Sequence, residues 1–186
     1  HGLCCTFTQS PSMRIGVLCS GNGSNFENIV RTCKHDEVVV MIYNKSKCGA
    51  HKRADKLGIP NCYLKSENEF EIISLLQAWG VELVVLAGWM RVVSSNFINA
   101  FPDRIINIHP SLLPKYKGLH AIEQAMESED KITGCTVHFV SEELDSGAVI
   151  LQKAVPILEN DTVKTLTRRI QLAEYEILPK AIDLLR

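Results

Sequence analysis

Short, unbroken apolar runs alternate with helix-like segments along the first two-thirds of this chain, and that alternation is what most limits its fold. Arg14–Cys19, Glu37–Tyr43 and Leu83-Val84-Val85-Leu86-Ala87 are apolar on both faces, as strands buried inside a parallel sheet must be. Each is followed by a pattern with helical spacing: residues 24–33 after the first, 50–57 after the second and 95–100 after the third. Strand, crossover helix and strand again is the grammar of a parallel α/β sheet. Residues 70–79 add another helix, with Ser66 and Glu69 at capping-box spacing before it and Gly80 able to close it. With 186 residues, 46% of them hydrophobic, the chain fills one core and is short for two.

The pattern changes after residue 109. Residues 112–119 read as loop and 121–126 as helix. Two β-rich segments follow, 134–140 and 148–157, joined by too short a link for a crossover, so an antiparallel addition and a mixed sheet are expected. Asp161 is a plausible cap for a long terminal helix, with a break anticipated near Pro179.

The polar residues with chemical potential stand at the ends of these strands. After Ile105-Ile106 comes Asn107-Ile108-His109-Pro110. Strand side chains alternate, so Asn107 and His109 share one face, and Pro110 ends the strand just beyond them. A buried, satisfied histidine beside a turn asparagine is the plainer reading of that pair alone. Between the first strand and first helix lies Ser20-Gly21-Asn22-Gly23-Ser24-Asn25. Its glycines permit a tight turn, and the amides of Gly23, Ser24 and Asn25 at a helix start suit an anion. The dinucleotide fingerprint is incomplete, because Phe26 stands where a third glycine belongs and Asn44-Lys45 supplies no acid for a ribose. A monophosphate fits better than a dinucleotide. Asp145, in the loop between the last two strands, reaches His109 and raises its pKa if that loop folds over the strand ends. For His138, packing and a role in the site remain equally open.

Charge and cysteine content remove other classes. The net charge is -1 and the cations are dispersed, which disfavours nucleic acid and anionic membranes as partners. The seven cysteines include no C-x-x-C pair, which points to a reducing cytoplasm without disulfides or structural zinc. Residues 1–12 read as a tag remnant or extension and 13–186 as the folded domain, with Met13 the expected natural start.

Four blocks in order resemble the phosphoribosylglycinamide formyltransferase family: residues 20–25, Leu86-Ala87-Gly88-Trp89-Met90-Arg91, residues 107–114, and His138-Phe139-Val140 with Glu143-Leu144-Asp145-Ser146-Gly147. The resemblance covers nearly all of 13–186 and implies a Rossmann-like formyltransferase fold. It implies transfer of a formyl group from 10-formyltetrahydrofolate, a co-substrate, to the amine of glycinamide ribonucleotide, through a tetrahedral intermediate and without a metal. It assigns catalysis to Asn107, His109 and Asp145, and substrate binding to Gly23, Ser24, Asn25, Pro110, Gln171 and Glu174. The folate pocket falls on Trp89, Met90, Arg91, Val92, Val93, Val140, Ser141 and Glu143. Trp89 stands where the family often has Phe. Related hydrolases and tRNA formyltransferases share the Asn, His and Asp elements; the phosphate-type loop, with neither a regulatory domain nor a tRNA-binding extension, favours the ribonucleotide enzyme over them. A silent nucleotide- or folate-binding module is the non-enzymatic alternative. The chain does not choose between monomer and homodimer.

Overall fold

Four apolar runs do align side by side, with one short polar strand added at the edge. In the computed structural model, which describes residues 12–186, β1 (Arg14–Cys19), β2 (Glu37–Tyr43), β3 (Asn61–Tyr63), β4 (Leu83–Leu86) and β5 (Ile105–His109) form a parallel sheet. To it β6 (Ile132–Phe139) and β7 (Val149–Pro156) add antiparallel, giving the order β3-β2-β1-β4-β5-β6-β7. The chain is a single α/β domain, mixed at its C-terminal end. The segment 1–11, most of the expected extension, lies outside the described residues.

Because strand side chains alternate, the sheet buries two layers. Ile15, Val17, Val85, Ile106 and Ile108 pack on one face with α1 (Ser24–Thr32), α2 (Gly49–Leu57) and α6 (Val163–Leu184). Leu18, Val84, Leu86 and Ile105 pack on the other with α3 (Glu69–Ala78) and α4 (Ser95–Ala100). Gly16 permits the close approach of α3, since a Cβ there would lie 2.7 Å from Leu76 Cδ2. The remaining helix, α5 (Ala121–Glu127), rests beside α6 and buries Ala121 and Ala125. Among the described residues no helix is long and apolar enough to cross a membrane.

Three sequence expectations are corrected. The residue capping α3 is Asn68, not Ser66, and no side chain bonds the helix start; Glu69 instead accepts from the Ser94 backbone N–H at 3.1 Å, tying α3 to the start of α4. The cap of α6 is Thr162, which accepts from Thr165 N at 3.2 Å within a reciprocal box. Asp161 is drawn away by Arg169, whose guanidinium donates to both its oxygens at 2.7 and 2.9 Å and holds the carboxyl well below the usual range.

The third correction concerns Pro179, where α6 does not break. Proline has no N–H for the carbonyl four residues back, that of Tyr175. Asn28 of α1 supplies the missing donor, its Nδ2 lying 2.9 Å from Tyr175 O. The carbonyl that proline leaves unpaired in one helix thus becomes a cross-link between two. Asn28→Ala is expected to cost about 1–2 kcal/mol by leaving that carbonyl unpaired. In a Pro179→Ala background, where residue 179 regains its own N–H, the same change should cost less than about 0.5 kcal/mol. Urea unfolding of the four proteins checks this, and equal costs in both backgrounds would contradict it.

Candidate active site

The sheet order reverses beside β1: the chain runs outward through β2 and β3, then returns to place β4 on the other side. Loops leaving β1 and β4 therefore diverge and open a crevice at the carboxyl ends of the strands. A cleft of about 650 Å³ lies there, bounded by Gly21, the 88–93 loop, the end of β5 and the loops after β5 and β6.

The end of β5 brings Asn107 and His109 to this cleft. The antiparallel register sets Asn107 opposite His138 and His109 opposite Thr136, so these four side chains share the face turned away from α1 and α6. His109 is buried, 6% exposed. Its Nε2 donates to the carbonyl of Tyr116 at 2.8 Å, and its Nδ1 faces Asp145 Oδ2 at 3.4 Å. A neutral ring can donate to only one of these acceptors, whereas an imidazolium donates to both.

Asp145 arrives from the β6–β7 loop, which does fold over the strand ends. The loop can turn back so tightly because Gly147 has no Cβ; one built there would fall 1.6 Å from the carbonyl oxygen of Phe139. Asp145 itself takes a left-handed backbone, φ 50°. Its Oδ2 accepts from the Gly118 N–H at 2.8 Å, and Lys117 Nζ donates to Ser146 Oγ at 2.9 Å, so the loops after β5 and β6 are stapled together.

His138 joins the same cluster. It is 2% exposed, with Nε2 3.2 Å from Asn107 Nδ2 and 3.7 Å from Asp145 Oδ1. Burial pushes its pKa down; the carbonyl of Phe139 and the Asp145 carboxylate pull the other way, and His109 adds to the decrease. The sequence left His138 undecided; its neighbour across β5 was the signal, and only the register reveals it.

The other predicted residues divide between two regions. Trp89, Met90, Arg91, Val92, Val93, Pro110, Val140, Ser141 and Glu143 line the cleft, along with Leu119 and Leu144. Met90, Val92, Leu119 and Leu144 are each at least half exposed, an apolar rim open to solvent. Ser20, which sequence reasoning passed over as a site residue, ties this wall to the first loop, its Oγ accepting from the Met90 N–H at 2.9 Å.

Gly23, Ser24, Asn25, Gln171 and Glu174 form an adjoining region on the α1 and α6 side. Gly23 is the N-terminal cap of α1 with φ 78°, and no side chain bonds the helix start, leaving its first amides for an external acceptor. A Cβ at Gly23 would come within 2.7 Å of Ala50. Asn25 Nδ2 donates to Glu174 Oε1 at 3.4 Å, while Asn25 Oδ1 is buried without a partner. Glu174 is 7% exposed, and burial pushes its carboxyl up to about 7 against the opposing bond from Asn25. Gln171, half-buried, sits one turn earlier on α6.

The arrangement can donate to a developing oxyanion through Asn107, hold charge on His109 and exchange a proton with Asp145. The two buried strand thiols are poor nucleophiles, since burial pushes Cys135 up to about 12 and Cys19 further still. Among the described residues no cluster of three or more His, Cys, Asp or Glu side chains is arranged to hold a metal ion.

Comparison with known proteins returns one family, described as formyl transferase, whose model matches residues 13–182. The chain is 42% identical over 187 residues to the trifunctional purine biosynthetic protein adenosine-3 of Chironomus tentans, covering 94% of this chain but 14% of that protein. It thus spans about a seventh of that relative's length. It is 40% identical over 182 residues to the phosphoribosylglycinamide formyltransferase of Escherichia coli (strain K12), covering 92% of this chain and 86% of that one. The crystal structure of glycinamide ribonucleotide transformylase 1 from Symbiobacterium toebii superposes with a TM-score of 0.90 at 43% identity, over 94% of this chain and 87% of that one.

Holding Glu174 in this place costs stability, with a defined sign. A carboxyl whose folded pKa is raised from 4.5 to about 7 leaves the fold unpenalised below 4.5. The penalty grows as pH rises through that window and is full above it, at about 3 kcal/mol. Glu174→Gln should therefore stabilise the protein by up to about 3 kcal/mol at pH 8, with the difference vanishing near pH 4.5. Chemical unfolding at pH 4.5, 6 and 8 reads this; a pH-independent difference would contradict it.

Proposed function

Because the chain belongs to the formyl transferase family, we propose that it transfers the formyl group of 10-formyltetrahydrofolate to the amino group of glycinamide ribonucleotide, in the cytoplasmic synthesis of purines. One observation carries the reading: the cleft holding Asn107, His109 and Asp145 adjoins the uncapped start of α1, so a folate-sized apolar groove and a phosphate-type loop meet at one set of polar groups.

The residues divide the work accordingly. The apolar walls from Trp89 to Val93 and Val140 to Leu144 suit a flat pteridine and its aromatic extension. The α1 amides at Gly23, Ser24 and Asn25 take the phosphate, and Glu174 with Gln171 faces the sugar-amide portion. Attack of the acceptor amine on the formyl carbon forms the new C–N bond and puts negative charge on the formyl oxygen. Asn107 and a protonated His109 stabilise that charge. Collapse breaks the bond to the folate nitrogen, which takes up a proton as the attacking nitrogen releases one. The His109–Asp145 pair is the titratable relay beside that exchange. Transfer is direct, because no serine or cysteine of the cleft has a base positioned to activate it.

Consumption of 10-formyltetrahydrofolate is expected only when glycinamide ribonucleotide is present, with formylated ribonucleotide as product. Formate released without the acceptor would instead identify a hydrolase. Gly23→Ala, which forces a left-handed alanine against Ala50, should raise KM for the ribonucleotide about tenfold or more, and change KM for the folate less than about twofold. Equal losses for both substrates would remove the phosphate from this loop.

A further inference from the structure

His138 is a buried residue of the cleft lining, and its part in the reaction is indirect. Its ring bridges two fixed partners: Nδ1 is 2.9 Å from the carbonyl oxygen of Phe139, and Nε2 is 3.2 Å from Asn107 Nδ2. A carbonyl oxygen only accepts, so the proton of the neutral ring resides on Nδ1 and the lone pair on Nε2. That lone pair dictates the orientation of Asn107. The amide must present its NH₂ group to His138; turned over, its oxygen would face the lone pair. One amide hydrogen is then spent on His138 and the second is free for the cleft that Asn107 lines.

We infer that His138 is a positioning residue, a neutral Nδ1–H imidazole whose Nε2 acceptor locks the Asn107 amide with its donor toward the formyl oxygen. The inference rests on the formyl-transfer reading for its kinetic consequence, though the tautomer itself does not. Two charged or titratable groups face the ring, Asp145 from the β6–β7 loop at 3.7 Å and His109 from β5. The carboxylate favours a second proton on His138 and the other imidazole opposes it. Burial at 2% exposure opposes it too, and the ring's pKa lies below the ordinary histidine value. A second proton would set donor against donor at Asn107 and release the amide. The arrangement also explains why a histidine rather than an apolar residue occupies a core strand position: an apolar side chain leaves the inner edge of the half-buried Asn107 amide beside nothing that accepts.

Nitrogen NMR of the labelled 186-residue chain reads the tautomer without any variant. Protonated Nδ1 with unprotonated Nε2 at pH 7 is expected, and the reverse tautomer or an imidazolium would overturn the proposal. Kinetics test its consequence in an enzyme whose transfer activity has first been measured. His138→Leu should lower kcat about 100- to 1,000-fold, the loss typical of one oxyanion donor, with both KM values within about threefold of wild type. His138→Gln, whose Oε1 can accept in place of Nε2, should recover kcat to within about tenfold of wild type. In an Asn107→Ala background, His138→Leu should cost less than about threefold more, because the group it orients is gone. Equal damage in the Leu and Gln variants, or an undiminished loss in the Asn107→Ala background, would reduce His138 to packing. If His138→Leu does not fold, the same comparison is made with His138→Met. Absence of any transfer by wild type, with the expected tautomer intact, would count against the proposed reaction and not against the geometry of His138.

Discussion

Two buried imidazoles, His109 and His138, each lie within 4 Å of the buried Asp145 carboxylate, and the site depends on how the three satisfy each other. Polar groups removed from water are costly unless each finds a partner, and a partly satisfied cluster is worse than an apolar one. Here every contact comes from a different element. Strand β5 carries His109, β6 carries His138, and the loop between β6 and β7 brings Asp145, whose Oδ2 is pinned by the Gly118 N–H. The carbonyl of Tyr116 then takes one edge of His109 and that of Phe139 one edge of His138, so both rings are oriented by backbone. Backbone acceptors do not rotate or titrate, which makes them firm guides for two imidazoles.

Topology explains why a substrate can reach this cluster. The reversal of strand order between β1 and β4 opens the cleft, and the same reversal places the α1 start beside it. Ser20 joins the two, since it precedes the glycine loop and holds Met90 of the apolar cleft wall. Glu174 marks the cost of this assembly, for a carboxyl buried against α1 gains little from Asn25 and titrates near neutrality. Stability given up at a buried acid is characteristic of a group retained for what it binds.

Much of the sheet was legible because central parallel strands are apolar on both faces; β1 and β2 have the predicted bounds, β4 is one residue shorter, and β5 ends at His109 as expected. Short β3 was not, because Asn61-Cys62-Tyr63 carries no apolar run and its Asn61 serves His51 and Asp55 instead. Errors at helix ends arose where one side chain had two suitors. Asp161 looks like a cap until Arg169, two turns on, claims it. The survival of α6 through Pro179 depends on Asn28, 147 residues from Tyr175 in sequence, which no local pattern reveals. For the site, alternation sufficed to put Asn107 and His109 on one face, while His138 required the β5–β6 register and Asp145 required the loop to close.

The most direct test is a double-mutant cycle on the buried pair: kcat/KM for glycinamide ribonucleotide in wild type, His109→Ala, Asp145→Asn and the double variant. If His109 and Asp145 act as one unit, the double variant should lie within about threefold of the more damaged single variant. Losses that multiply, each residue costing as much in the absence of the other, would show two independent contributions and contradict the coupled site described here.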